Sequence, residues 1–194
     1  MPRAGLTHDK VVARAAEVAD EEGYDALTLA AVADRFGVRV PSLYKHVDGL
    51  DGLRKGVAVL AVRELAERLA GSAVGKAGSD ALSALSEAYR AYAHRHPGRY
   101  TATLRAPDPD DEALQAASSA VLDVVFAVLG GYGLDGDDAV DATRILRSAL
   151  HGFVSLEAAG GFGLPREVDR TFQRLVQGVD AAFRSWADPS PTTG

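Results

Sequence analysis

Between Arg35 and Val47 the chain carries Arg35, Arg39, Lys45 and His46, with Tyr44 among them and no acidic residue. Cations gathered in this way neutralise phosphates, and phosphate neutralisation is the main source of protein affinity for nucleic acid. The whole chain has the opposite balance: 21 Lys and Arg against 27 Asp and Glu give a formal net charge of −6, with the acidic excess mostly beyond residue 56. Binding to DNA would therefore have to use one local surface. A solvated helix face would carry the same charges, so the elements that present them must decide.

Two other groupings could do chemistry. Gly131-Tyr132-Gly133-Leu134-Asp135-Gly136 matches G-x-G-x-x-G and follows the apolar run Val121–Leu129, a pattern that binds dinucleotides when it follows a strand of a parallel sheet. The preceding stretch is long and alanine-rich for a strand, and no parallel-sheet partners appear. Asp135, Asp137 and Asp138 would also repel a pyrophosphate at the next helix N-terminus. The glycines are therefore expected to join two helices. Tyr89, Tyr92, His96, Tyr100, Leu104, Phe126, His151, Phe153 and Glu157 mix aromatic and apolar side chains with a few polar groups, the composition of a small-molecule pocket. His151, one helical turn before Ser155 and close to Glu157 in sequence, is the candidate for orienting a polar group of a ligand. There is no G-x-S-x-G, H-E-x-x-H or P-loop, and no cysteine for thiol catalysis, disulfides or a thiolate metal site. No enzyme activity, metal or cofactor is expected.

The elements that must position these residues are helical. Thr7 can cap a first helix with Val11, Val12, Ala15, Ala16, Val18 and Ala19 at helical spacing, and Gly23 can end it. Thr28 can cap a second, Leu29–Phe36, ended by Gly37. Pro41 suits the first turn of a third, because its missing N–H has no partner there in any case. Two short helices about a glycine turn form a helix-turn-helix, whose second helix enters the major groove. Further helices are expected over Leu50–Leu69, Asp80–Arg95, Arg99–Arg105, Leu114–Leu129, Ala139–Ala159 and Val168–Trp186. His96-Pro97-Gly98, Ala106–Asp111, Gly130–Gly136 and Gly160–Pro165 supply the breaks. The fold class is all-α, a three-helix helix-turn-helix head joined to a helical-bundle ligand-binding and dimerisation domain. The expected boundaries are 1–49 for the head, 50–187 for the body and 188–194 for a disordered tail. No run approaches the roughly 18 consecutive apolar residues of a membrane span, and Met1–Leu6 lacks a signal peptide's apolar run, so a soluble cytoplasmic protein is expected.

Leu27-Thr28-Leu29-Ala30-Ala31-Val32-Ala33, Phe36-Gly37-Val38 and Pro41-Ser42-Leu43-Tyr44-Lys45-His46-Val47 together resemble the head of the TetR family. Leu150-His151-Gly152-Phe153-Val154-Ser155-Leu156-Glu157 is similar to a C-terminal domain of some members named for a Trp-His-Gly motif, with Leu150 in place of the tryptophan. The resemblance implies a dimeric repressor that binds a palindromic operator and is released by a small-molecule inducer. It implies that Thr28 and Tyr44 contact phosphates and that Arg39, Val40, Pro41, Ser42 and Lys45 face the major groove or its edges. His46 adjoins them. Ala30 stands where relatives often carry a polar or basic side chain, and Asp48–Gly52 lacks a phosphate-reaching lysine for which Lys55 is the substitute. Fewer basic contacts imply a shallow salt dependence, since each neutralised phosphate adds about 0.9 to the log–log slope.

In the body, the ligand-binding candidates are Tyr89, Tyr92, His96, Tyr100, Phe126, His151 and Glu157. The last two long helices carry more apolar positions than one inward stripe needs, so Leu146, Leu150 and Phe153, with Phe172, Leu175, Val176, Val179 and Phe183, are expected at a homodimer interface. Two rivals stay open: a dinucleotide-binding enzyme, and a helical scaffold whose head meets a protein. The scaffold would have no need of Arg35, Arg39 and Lys45 together beside Tyr44.

Overall fold

The computed structural model describes residues 5–104 and 110–187. Most of the expected loop Ala106–Asp111, and the tail expected at 188–194, lie outside the described residues. Every regular element among the described residues is helical. Helix α1, His8–Glu22, starts where the Thr7 hydroxyl accepts the Lys10 N–H at 3.3 Å, and its buried face is Val11, Val12, Ala15, Ala16, Val18 and Ala19. Helix α2, Leu29–Phe36, begins at Thr28 and ends at Gly37, whose φ of 63° and ψ of 34° place it in the left-handed region that glycine enters without steric cost.

The third helix of the head, Val40–Lys45, is a 3-10 helix. Its length of six residues and Pro41 near its start explain this, because a segment with few internal donors gains little from a full α-turn. Helix α3, Gly49–Ala73, follows, then α4 (Gly78–Arg95), α5 (Pro97–Ala102), α6 (Glu112–Gly130), α7 (Gly136–Ala158) and α8 (Val168–Ala187).

The chain divides into two compact units. The first comprises residues to Ala66 together with Arg95–Ala120, so it holds the whole head, α5 and the start of α6. Helix α3 begins at the expected head boundary, and the compact unit continues past it. In its core Val11, Ala15, Val18, Leu27, Leu43, Leu53, Val57 and Leu114 are at most 2% exposed. Helices α1 and α5 cross with almost no separation at Gly98, where an added Cβ would lie 2.0 Å from the Ala19 carbonyl oxygen. Asp20 ties the same crossing together: it accepts the Arg99 backbone N–H at 2.8 Å and His96 Nδ1 at 3.1 Å. Arg99 also pairs with Glu64 on α3 at 3.2 Å.

The second unit comprises Glu67–His94 and the chain from Val121 onward. Its core includes Leu82, Leu85, Leu129, Leu146, Leu150, Phe172 and Phe183. The G-x-G-x-x-G segment joins α6 to α7, as expected, and what precedes it is a helix. Its Tyr132 is buried and donates to Asp180 on α8 at 2.6 Å, while Ser79 donates to the same oxygen at 2.5 Å. Burial pushes the Tyr132 phenol up, and the bond to Asp180 adds to the shift. The motif therefore presents a packing tyrosine.

Helix α6 has a mean hydropathy of 1.7 over a window only 28% buried, which by length and composition would allow it to cross a membrane. This departs from the expectation that no stretch comes close to a span. Alanine and valine raise the average without a continuous apolar run, since Gln115, Ser118, Ser119 and Asp123 interrupt the helix. Leu114, Ala117, Val125, Val128 and Leu129 face inward, and Leu122 and Phe126 face out.

Candidate nucleic-acid interface

The local sequence sets the geometry of the head. Thr28 is extended (φ −133°, ψ 156°) and its hydroxyl accepts the Ala31 N–H at 3.1 Å, so the residue expected at a phosphate also caps α2; a helix N-terminus favours an anion as well. Val38 N–H reaches back to the Ala33 carbonyl at 3.0 Å, which closes the turn and delivers Arg39 to the start of the 3-10 helix. Within that helix Leu43 is fully buried, and Val47 just beyond it is 4% exposed. The 3-10 helix packs on α2 with this face inward.

The opposite face is open. Arg39, Pro41, Tyr44 and Lys45 are exposed, and Val40, Ser42 and His46 are half-buried. Tyr44 is 58% exposed, so it is not a core residue. The structure thus carries the DNA-facing candidates Arg39, Val40, Pro41, Ser42, Tyr44, Lys45 and His46 on one short, apolar-backed segment, while Thr28 stands at the N-terminus of α2. Lys55 lies on α3, 4.0 Å from Asp51, and is partly neutralised there.

Arg35 is a different case. It pairs with Glu21 at 2.7 Å and Glu22 at 2.8 Å on the last turn of α1, and these bonds hold its guanidinium above its ordinary value. Its charge braces α1 against α2. Sequence reading missed this because the partners lie more than a dozen residues away. Two further residues outside the expected set also shape the head. Arg54 donates to the Asp25 carbonyl at 3.1 Å beneath the Tyr24 ring, which pins the loop between α1 and α2 to α3. His8 Nδ1 lies 2.8 Å from the His46 carbonyl oxygen.

The ligand-binding candidates differ in their surroundings. Tyr89, Tyr92 and Tyr100 are buried and Phe126 is 37% exposed. His96 is bonded to Asp20, and His151 Nδ1 lies 3.3 Å from the Ser155 hydroxyl. Glu157 has partners within the chain. Arg90 holds it with Nε at 2.9 Å and Nη2 at 2.5 Å, and His94 lies 2.7 Å away. The Arg90 guanidinium depresses the Glu157 carboxyl; burial opposes the shift and His94 reinforces it. Arg90 also bonds Asp169 and lies over the Phe172 ring, 4.8 Å from its centroid. Glu157 is thus an internal anchor between α4 and α7, with its lone pairs already engaged. A cleft of about 650 Å³ does exist beside α1 and α3, reached by His8, Val12, Lys55, Val59, Arg63 and Glu112; none of the expected ligand residues lines it.

The expected dimer residues lie largely in the chain's own core. Leu146, Leu150, Phe153, Phe172, Val176, Val179 and Phe183 are all buried within the single chain. Phe153 and Phe172 meet with ring centroids 5.1 Å apart. They are the seam between α7 and α8, and only Leu175 of that set is half-exposed.

This fold and this head define a helix-turn-helix regulator. The family model described as "Bacterial regulatory proteins, tetR family" matches residues 11–49, and that described as "Tetracyclin repressor-like, C-terminal domain" matches residues 82–179. An uncharacterized HTH-type transcriptional regulator of Mycobacterium tuberculosis, Rv0681, is 43% identical over 158 residues, covering 81% of this chain and 72% of that one. The similarly described YobS of Bacillus subtilis is 38% identical over 163 residues, covering 83% and 84%. A TetR variant from Acinetobacter baumannii AYE, solved in complex with minocycline, has the same fold: TM-score 0.68 and 24% identity, over 95% of this chain and 99% of that one. The chain belongs to the TetR family of helix-turn-helix transcriptional regulators.

Proposed function

We propose that this regulator is a repressor that binds a palindromic operator as a homodimer and is released by a hydrophobic or aromatic small molecule. The outer face of the 3-10 helix carries the proposal: Arg39, Pro41, Tyr44 and Lys45 are exposed while Leu43 and Val47 are buried behind them. Arg39 is suited to pair with guanine, Ser42 is adaptable, and Val40 or Pro41 can meet a thymine methyl; Thr28, Tyr44 and Lys45 position the segment on phosphates. With Arg35 committed to Glu21 and Glu22, few cations remain for phosphate, and the salt dependence is shallow.

In the dimer, two recognition segments about 34–36 Å apart match successive major grooves. Inducer and DNA select different conformations, and each weakens the other's binding by the same factor. Within the first unit Asp20 and Arg99 tie α1, α3 and α5 together. Tyr92 and Phe126 line the sensing cavity, with His151 as the group that orients a polar atom of the ligand. A cytoplasmic location follows from this reading. The test is selection of duplexes from the source genome with the full-length protein. Enrichment of an inverted repeat that the protein holds as a dimer and releases on adding an aromatic compound is the expected result. Retention on random DNA without any enriched repeat would defeat the proposal.

A further inference from the structure

We infer that His8 is a positioning residue for DNA reading: from the first turn of α1 its imidazole clamps the C-terminal end of the 3-10 helix. The observation is a hydrogen bond across 38 residues of sequence, His8 Nδ1–H donating to the His46 carbonyl oxygen at 2.8 Å. The inference rests on the DNA-binding reading of the head and adds a residue outside the helix-turn-helix segment.

The 3-10 helix needs such a clamp. Its hydrogen-bond geometry is intrinsically poorer than that of an α-helix, Pro41 withholds a donor, and its cap residue Arg39 makes no side-chain cap bond. At the other end both His46 N–H (2.8 Å) and Val47 N–H (3.1 Å) converge on the Leu43 carbonyl, and the chain then turns into α3 at Gly49, with φ 69°. Leu43 and Val47 set the depth of the segment by burial. Two apolar anchors on one face do not fix rotation about the line through them, and that rotation aims Tyr44 and Lys45. Fixing the peptide group that follows Lys45 and His46 removes this freedom.

The chemistry is suitable. Carbonyls at a helix C-terminus carry partial negative charge, and an imidazole N–H complements it. His8 sits on α1, the helix that Val11, Val12 and Ala15 seat in the core, so the clamp refers the reading segment to a rigid element. The His8 ring is itself exposed; it fills no core space that its removal would empty.

Variants of the full-length protein test this. In His8→Asn the amide nitrogen takes the place of Nδ1, whereas in His8→Gln it stands near Nε2, and His8→Ala has no donor. Operator affinity at fixed salt is expected to fall roughly three- to tenfold in the Ala and Gln variants, the range that one hydrogen bond covers, and to stay within about twofold in Asn. The slope of affinity against salt should be unchanged. Amide exchange at Leu43–Val47 in the free protein should quicken in Ala and Gln only. Equal affinity in all four proteins overturns the inference. So does a salt slope lower by about 0.9, which would make His8 a phosphate contact. The exchange measurement needs no DNA: a wild type that bound no duplex would defeat the DNA-binding reading, while the clamp would still stand or fall on exchange.

Discussion

Tyr44 and Leu43 are neighbours in sequence with opposite fates, one 58% exposed and the other fully buried, and that contrast sets what each substitution does. Tyr44→Phe keeps the ring and removes the hydroxyl, so a gel-shift titration at fixed salt should show weaker operator binding with no change in melting temperature. Arg39→Ala should change which sequence is preferred, by about 1–3 kcal/mol at one base pair if the arginine reads guanine; a uniform loss across sequences would make it a phosphate contact. At Glu157 the test is pH. Its carboxyl is held below the ordinary value of 4.5, chiefly by the Arg90 guanidinium. A group depressed in the folded state contributes stability that is present above its unfolded value and is lost as pH falls through the folded one. Wild-type stability in urea should therefore decline below about pH 4.5. Glu157→Gln should be less stable at pH 7 by roughly 1–3 kcal/mol and decline less in acid. The dependence should not vanish, because at Asp180 bonds from Ser79, Tyr132 and Arg184 outweigh the upward push of burial and leave its carboxyl depressed too.

Helices are where sequence and structure agree most closely. Thr7, Thr28 and Gly37 act as the caps their types imply, and α2 and the start of α8 fall on the expected residues, because caps and apolar spacing are local signals. What was not legible is long-range. His96 and Asp20 are 76 residues apart and Glu157 and Arg90 are 67 apart, so no local pattern reveals that these polar groups are already engaged. Pro41 marks the third helix of the head in the sequence, but does not show that so short a segment is 3-10. Gly98 is a further case. Proline-glycine reads as a breaker, yet the glycine lets α5 touch the backbone of α1. Gly98→Ala should lower the melting temperature sharply, at a cost of about 1–3 kcal/mol or more, since backbone and not a flexible side chain must yield. A melting curve indistinguishable from wild type would show that α1 and α5 are further apart.

At the scale of the whole molecule the open question is which face pairs two copies, and burial redirects the answer. Counting apolar positions on α7 and α8 detects a surplus but cannot say which positions the chain covers itself; here it covers Leu146, Leu150, Phe153, Phe172, Val176, Val179 and Phe183. One register away, α7 exposes Ile145, Ser148, Gly152 and Leu156, and α8 presents Leu175, Gly178, Ala182 and Trp186. A Cβ added at Gly152 or Gly178 would meet nothing within 4 Å in the same chain. Glycine in a helix interior is less stable than alanine by roughly 1 kcal/mol, and nothing inside this chain requires it at either position. Close approach by a second copy would, and helices with small and apolar exposed residues pack in that way across a two-fold axis. We therefore propose this face as the dimer interface. A charge at Val176 is then a core lesion that unfolds the protein, whereas Ile145→Glu and Leu156→Glu should leave its helical circular dichroism and melting cooperative. Those two variants should shift sedimentation at micromolar concentration from dimer to monomer, with operator affinity lost in parallel. Gly152→Ala should stabilise the isolated helix yet weaken the dimer. Charged variants at Ile145 and Leu156 that remain dimeric and bind the operator normally would move the interface to another face.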